Sequence, residues 1–327
     1  MIKLFCEIET WELVEAFTIA RSSITHIPVI KVTLTDHQGV QGVGEAAGVD
    51  YDGETPHSMA AQVAAVASQL TDMLTQQTLA TLLPRGGARN ALDCALWDLR
   101  AKQSGVPAWQ RAGLTAMAPV TTVFTLGLGN EADTRRKARD ARAYPLLKLK
   151  MDKDRHIDIV RIVREEHPQA EILVDANQSW SRSQLETLLP SFQALSVTLI
   201  EQPVPRGDDA SLKGLKSLIP LAADESCSDA TSVGGLAPYY QYINIKLDKT
   251  GGLTEALAVV AEAKRHRMGL MVGNMCGTSL GMAPAFIIAQ YCHYIDLDGP
   301  LLQRADRASP IEYKRGVMHA PRPELWG

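Results

Sequence analysis

The sequence predicts an α/β protein: a barrel of parallel strands joined by helices, beside a smaller α+β domain. Three observations carry this. Residues 1 to about 115 read as strands followed by helices. From about residue 120, eight short β-rich runs alternate with helical stretches, and that alternation implies parallel strands with helical crossovers. Lys150, Asp175, Glu201, Asp224, Lys246, Gly273 and Asp298 each end one run, at steps of 25, 26, 23, 22, 27 and 25 residues. Each step is about one strand, one helix and two short loops.

In the first region, "VIKVTLTDHQGVQGVGEA" alternates around a turn at Asp36 to Gly39, a hairpin signature. "PHSMAAQVAAVASQLTDML" and "ARNALDCALWDLRAKQSG" are alanine- and leucine-rich helices, the second closing on Lys, Arg and then Gly105. The barrel runs are "VTTVFTLGL", "LLKLKM", "EILVDAN", "SVTLIEQP", "PLAADES", "YINIKLDK", "GLMVGNM" and "YIDLDGP". Eight candidates suggest a closed barrel. "IEYKRGVMHAPR" reads as a final hairpin. The expected division is residues 1–115 for the α+β domain and 116–300 for the barrel, with 301–327 returning to the first domain.

The 327 residues are 46% hydrophobic and 21% charged, as in an ordinary soluble protein, and the net charge of −4 leaves no footprint for nucleic acid or an anionic membrane. There is no apolar run of about 18 residues, so a membrane span is not expected. The N-terminus lacks the features of a secretory signal. Five scattered cysteines, Cys6, Cys94, Cys227, Cys276 and Cys292, fit reduced thiols and a cytoplasmic setting.

The register brings the polar strand ends to one rim, where such barrels hold their active sites. "VDAN", "IEQP" and "ADES" place Asp175, Glu201 and Asp224 on three consecutive strands. Three converging carboxylates repel one another unless a cation binds among them. Oxygen ligands without Cys or His favour Mg2+, with Mn2+ a plausible substitute. The alternative is that each acid caps a helix or meets a nearby base. Lys148 and Lys150, two residues apart in "PLLKLK", point to one face of a strand. Lys246 in "NIK" lies across the barrel. A lysine beside a divalent cation and a second ammonium is expected to have a depressed pKa and to serve as a base. The implied chemistry is proton removal next to a carboxylate, with bases on both faces. "TGG" at residues 250–252 reads as a structural turn, since two glycines alone are weak evidence for phosphate binding.

In order, "KLK", "VDANQSW", "IEQP", "ADES", "NIKLDKTGGLTEAL", "MVGNM" and "IDLDGP" resemble the enolase superfamily, in its muconate-lactonizing subgroup, over essentially the whole chain. The resemblance is nearest to the dipeptide epimerases. It implies a (β/α)7β TIM-like barrel with a capping domain formed by the N-terminal region and the C-terminal tail. It implies Mg2+ on Asp175, Glu201 and Asp224, with Lys150 and Lys246 as paired acid/base groups and Lys148 as the partner that tunes Lys150. "IDLDGP" resembles a D-x-D motif that holds the substrate's α-ammonium group, here Asp296 and Asp298; period 2 points both to one face. "FTIARSS" resembles the capping loop in which Arg21 meets an acidic side chain. "AAGVDYDGET" resembles the second capping loop, with no residue assigned. "MVGNM" carries Asn274 where some relatives have a small Ser or Cys near the substrate.

The implied function is inversion of the C-terminal residue of a small dipeptide, L-Ala-D-Glu to L-Ala-L-Glu, in murein peptide degradation, by a possible homo-oligomer. The same scaffold also supports cycloisomerisation or o-succinylbenzoate synthesis, against which Asp296 and Asp298 argue. A non-catalytic binding barrel would not need lysines on two faces.

Overall fold

The structure is a computed structural model that describes residues 2–19, 23–151, 154 and 156–327. Three antiparallel strands come first: β1 (Lys3–Thr18), β2 (Ser23–Thr35) and β3 (Gln41–Ala46), paired in that order. The turn from β2 to β3 is held by Asp36, whose Oδ1 accepts from the N–H groups of Gln38 (2.8 Å) and Val40 (2.9 Å). Four helices follow, α1 (Pro56–Ala65), α2 (Gln76–Leu82), α3 (Gly87–Ser104) and α4 (Ala108–Arg111). Thr55 and Ser58 form a reciprocal cap on α1 behind Pro56, and Gly105 ends α3 in the left-handed conformation at φ 67°. Gly44 lets β3 lie directly on α3: a Cβ there would stand 2.1 Å from the Ala91 carbonyl oxygen.

After β4 (Val120–Thr121) come the barrel strands β5 (Phe124–Leu126), β6 (Leu146–Lys150), β7 (Glu171–Asp175), β8 (Val197–Glu201), β9 (Leu221–Ala223), β10 (Tyr242–Lys246), β11 (Gly269–Gly273) and β12 (Tyr294–Ile295). They pair in chain order and in parallel, and the Val123 N–H donates to the Ile295 carbonyl at 2.8 Å to join the two ends. Helices α5 (Glu131–Asp140), α6 (His156–Glu166), α7 (Arg182–Ala194), α8 (Ala230–Leu236), α9 (Leu247–Thr250), α10 (Leu253–Arg265) and α11 (Ser279–Ala289) fill the crossovers. Between β8 and β9 the regular helical structure is a 3-10 turn, Asp209–Leu212, so that crossover departs from the expected helix. Among the described residues no helix is long and apolar enough to cross a membrane.

Alternation along β6 explains the architecture. Leu147 and Leu149 point outward into the large core beneath the helices, while Leu146 joins Leu173, Leu199, Ala222 and Met271 in a separate apolar layer inside the barrel. Lys148 and Lys150 continue that inward row toward the C-terminal rim. Register then aligns the layers: Lys148 opposite Leu173, Lys150 opposite Asp175, Asp175 opposite Glu201.

The last hairpin, β13 (Tyr313–Lys314) and β14 (Val317–Met318), pairs with β4 and not with the capping sheet. Residues on either side of it touch the N-terminal region. The Trp326 indole donates to the Cys94 carbonyl (3.1 Å) and the Gly327 N–H to Asp98 Oδ1 (2.7 Å). Arg307 reaches Glu9 on β1 (3.0 Å), Glu45 on β3 (2.5 Å) and Thr278 at the start of α11 (2.9 Å), and stacks over Trp11.

Glu45 is fully buried, so removing its guanidinium partner strands a charge. Arg307→Ala is expected to cost about 3–5 kcal/mol of stability, read as a lower urea midpoint. An unchanged midpoint would show that the clasp contributes nothing.

Candidate active site

Four of the polar strand ends lie where the sequence register puts them: Lys150, Asp175, Glu201 and Lys246 are the last residues of their strands, as is Gly273, and Asp224 follows β9 by one residue. The side chains converge. Lys148 Nζ lies 2.7 Å from Asp296 Oδ2, 2.8 Å from Glu201 Oε2 and 3.1 Å from Asp175 Oδ2. Lys150 Nζ donates to the same Asp175 oxygen at 2.6 Å, so both lysines of "KLK" do share one face. Across the barrel, Lys246 Nζ donates to Asp224 Oδ2 at 2.7 Å.

Two further residues complete this web: Asn244, which escaped the sequence reading, and Lys249, whose role the sequence does not decide. Asn244 donates to Glu201 Oε1 at 2.9 Å. It stands two residues before Lys246 on the same strand, so period 2 is the signal that would have found it. Lys249 donates to Asp224 Oδ1 (2.6 Å), to the Asp224 carbonyl and to the Asn244 carbonyl (3.0 Å). It lies beyond the strand on α9, where no strand period applies. Gly251 and Gly252 are structural, as expected: both have positive φ, and a Cβ on Gly252 would strike Asp93. Asn177, Gln178, Gln202 and Cys276, all non-glycine, also adopt positive φ just past strand ends of this rim.

Asp296 and Asp298 correct one expectation. β12 stops at Ile295, so the D-x-D segment is not strand and period 2 does not aim it. Contacts do so instead: Asp296 meets Lys148, and Asp298 Oδ2 accepts from the Thr125 N–H at 2.6 Å. Asn274 lines the cavity, but its amide is engaged, donating to the Asp296 carbonyl (2.6 Å) and accepting from the Cys276 N–H (2.7 Å). It ties the β11 loop to the D-x-D segment. Arg21 lies outside the described residues.

The depression expected of a lysine concerned one beside a divalent cation; in the protein alone, Lys148 and Lys246 shift the other way. Burial opposes the charge on Lys148, yet Asp296, Glu201 and Asp175 outweigh it and hold the ammonium well above its usual range. Lys246 is raised in the same way, mainly by Asp224. The reason is direct pairing: these two ammonium groups each sit against a carboxylate, not merely near another cation. The acids respond unequally. Burial works against Asp175 and Asp224 as anions, but their lysines win and both stay below the carboxylate range. Glu201 is pushed up to about 8 by burial and then by Asp175, and burial lifts Asp298 to about 7 with help from Asp296.

Does this set suit a divalent cation? The carboxylates turn toward lysines rather than a common point, and among the described residues no three His, Cys, Asp or Glu side chains form a ready ion cage. The donor chemistry nevertheless fits. Glu201 Oε2 is buried, and its partner, the Lys148 ammonium at 2.8 Å, is shared with Glu201 Oε1, Asp175 and Asp296. Asp175, Glu201, Asp224, Glu225, Asp296 and Asp298 are buried against Lys148, Lys150, Lys246 and Lys249, which leaves an excess of acids over ammonium groups. A small hard cation among oxygen donors relieves that imbalance.

A cavity of about 300 Å3 opens above the web, between the rim and the N-terminal region. Lys150, Lys246, Asp224 and Glu225 line its floor; Phe17, Ile24, His26 and Tyr51 line its roof. Lys148 is 1% exposed and lies beneath.

A parallel barrel capped by an α+β domain, with acids and lysines gathered at the strand ends, defines a class of enzymes that act by moving protons. The chain belongs to the enolase superfamily: residues 1–113 match the mandelate racemase/muconate lactonizing enzyme N-terminal domain, and residues 131–324 match the enolase C-terminal domain-like family. It is 37% identical to the L-Ala-D/L-Glu epimerase of Escherichia coli K12 over 95% of this chain and 97% of that protein. It is 41% identical to the N-acetyl-D-glutamate racemase of a Pseudoalteromonas species over 76% of this chain and 79% of that one. Among solved structures, an Agrobacterium tumefaciens enolase family member with homology to dipeptide epimerases, holding sodium and L-Ala-L-Glu, superposes with a TM-score of 0.96 at 40% identity over all of both chains. The Methylococcus capsulatus dipeptide epimerase, complexed with Mg and L-Arg-D-Lys, gives 0.91 at 29% identity over 99% of each.

Lys249 is buried and pairs with Asp224, so Lys249→Met leaves a carboxylate short of a partner. We expect a loss of about 3–5 kcal/mol in urea unfolding without added metal; a change under about 1 kcal/mol would mean that Lys246 alone satisfies Asp224.

Proposed function

We propose that this protein is a metal-dependent dipeptide epimerase that inverts the α-carbon of the C-terminal residue, interconverting L-Ala-D-Glu and L-Ala-L-Glu. One observation carries the reading. Lys150 and Lys246 end strands four places apart in a ring of eight, and both line one cavity. Inversion by proton transfer needs a base on one face of the carbon and an acid on the other.

Each lysine would exchange roles with the direction of reaction. Lys148, buried beneath, would hold Asp175, Glu201 and Asp296 in place and supply positive charge below the reacting carboxylate. A divalent cation on Asp175, Glu201 and Asp224 would draw carboxylate charge from the lysines and stabilise the charge that develops on the substrate carboxylate. Mg2+ suits those oxygens and accompanies a dipeptide in the Methylococcus relative; Mn2+ is the natural substitute. Asp296 and Asp298 would receive the dipeptide's ammonium group, and burial of two neighbouring acids favours an incoming cation. Arg21 would meet the acidic side chain. Five free cysteines support a reducing, cytoplasmic setting, consistent with salvage of murein peptides.

A second reading is racemisation of an N-acylglutamate, favoured by the 41% identity to the Pseudoalteromonas racemase. In both substrates the reacting carbon stands between an amide nitrogen and a carboxylate. They differ in the ammonium group, which an N-acetyl substrate lacks.

Incubation with Mg2+ and L-Ala-L-Glu in D2O should place deuterium on the Glu α-carbon and generate L-Ala-D-Glu. No deuterium there would refute the reading for this dipeptide. Lys150→Ala and Lys246→Ala should each lower epimerisation by at least about 100-fold, while each retains α-exchange with one epimer. Asp296→Asn should raise KM for the dipeptide about 10- to 100-fold, since a hydrogen bond to a charged group is worth roughly 1.5–3 kcal/mol. If N-acetyl-L-glutamate turns over faster than the dipeptide and ignores that change, the second reading replaces the first.

A further inference from the structure

The segment from residue 47 to residue 55 joins β3 to α1 across the mouth of the barrel, and it is tied down at two points. Near its start the Gly48 N–H donates to Asp248 Oδ1 at 2.8 Å, and Asp248 follows Lys246 by two residues. At its tip is a 3-10 turn, Asp50–Asp52. There Asp52 Oδ1 pairs with Arg206 Nη2 at 2.8 Å, and the Arg206 guanidinium lies 6.0 Å from the centre of the Tyr51 ring.

Arg206 is itself well founded. It stands five residues after Glu201, and its backbone N–H donates at 3.0 Å to Gln178 Oε1, three residues past Asp175. The capping turn is thus held by the strand ends that carry Asp175, Glu201 and Lys246. Between the two ties, Tyr51 turns into the cavity that Lys246, Asp224 and Glu225 also line. Its phenol is largely buried, in the field of Asp224 and Lys246.

We propose that Arg206 is a positioning residue: through Asp52 and the face of Tyr51 it latches that ring as the cavity wall beside Lys246. Proton transfer on the Lys246 face then depends on a side chain outside the cavity lining. The inference rests on Lys150 and Lys246 being the two bases. The Arg206–Asp52 pair is part-exposed, so it is weak alone and screened by salt, and a cation over an aromatic face adds to it. Such a latch can hold the turn closed and still release it. Lys150 belongs to the opposite strand, so a loosened turn affects the two bases unequally.

Two measurements test this. Backbone amide exchange of the peptide covering residues 48–55, read by mass spectrometry, reports the latch without substrate. Arg206→Ala should speed it about tenfold, with Arg206→Lys between the two because it keeps the charge and loses the flat guanidinium. An unchanged rate overturns the proposal. Deuterium incorporation from solvent, followed for each epimer separately, reads the consequence. Lys246→Ala identifies the epimer that relies on Lys246. Arg206→Ala and Tyr51→Ala should slow that epimer's exchange about tenfold more than the other's, and raised salt should reproduce part of the effect in the wild type. Equal slowing of both epimers overturns the Lys246 assignment. If the wild-type protein exchanges neither epimer, the epimerase reading and the Lys246 role fall together, while the amide exchange still decides the latch.

Discussion

Everything at the rim depends on one constraint: buried charges must satisfy one another. Lys148 meets three carboxylates from three different strand ends, within 3.1 Å of each. Taking ions out of water is costly unless geometry and hydrogen bonds compensate. That cost is distributed over a web in which Lys150 shares Asp175 with Lys148, while Lys246 and Lys249 take one oxygen each of Asp224. Moving any strand by one residue would turn its acid or lysine to the helix side. Strand register and charge pairing therefore enforce each other.

The apolar layer beneath serves the same end. Leu146, Leu173, Leu199, Ala222 and Met271 fill the barrel below Lys148, so the charged layer stands on a packed floor and its groups face upward. Above, the N-terminal region supplies a different surface. Its contribution to the cavity is mostly apolar, with Phe17, Ile19, Ile24, Ile27 and Pro28 facing the barrel's acids and lysines. Chemistry and recognition are thereby divided between two parts of the chain. Arg307, Asp248 and Arg206 bind those parts together, each through a carboxylate contact.

The relatives this chain resembles include an L-Ala-D/L-Glu epimerase and an N-acetyl-D-glutamate racemase. In this chain the charged groups and the cavity walls come from different places. Lys150, Asp175, Glu201 and Lys246 end barrel strands. The walls come from loops and from the cap, where substitution does not disturb the charged web.

Much of this was legible from residues alone. The roughly 25-residue recurrence of polar strand ends located the barrel, its rim and the convergence of Asp175, Glu201, Asp224, Lys150 and Lys246, because period and spacing are properties of the chain. "PLLKLK" already required its lysines to share a face. Other features needed the tertiary structure. The positions of Asp296 and Asp298 past the end of β12, the binding of Lys249 to Asp224 from a short helix, and the Arg206–Asp52 contact across 154 residues arise from loops, which have no period to read. The raised pKa values of Lys148 and Lys246 likewise depend on which atoms touch: folding sets each of these two ammonium groups against a carboxylate. Local pattern determines where a side chain points; only packing decides what it meets.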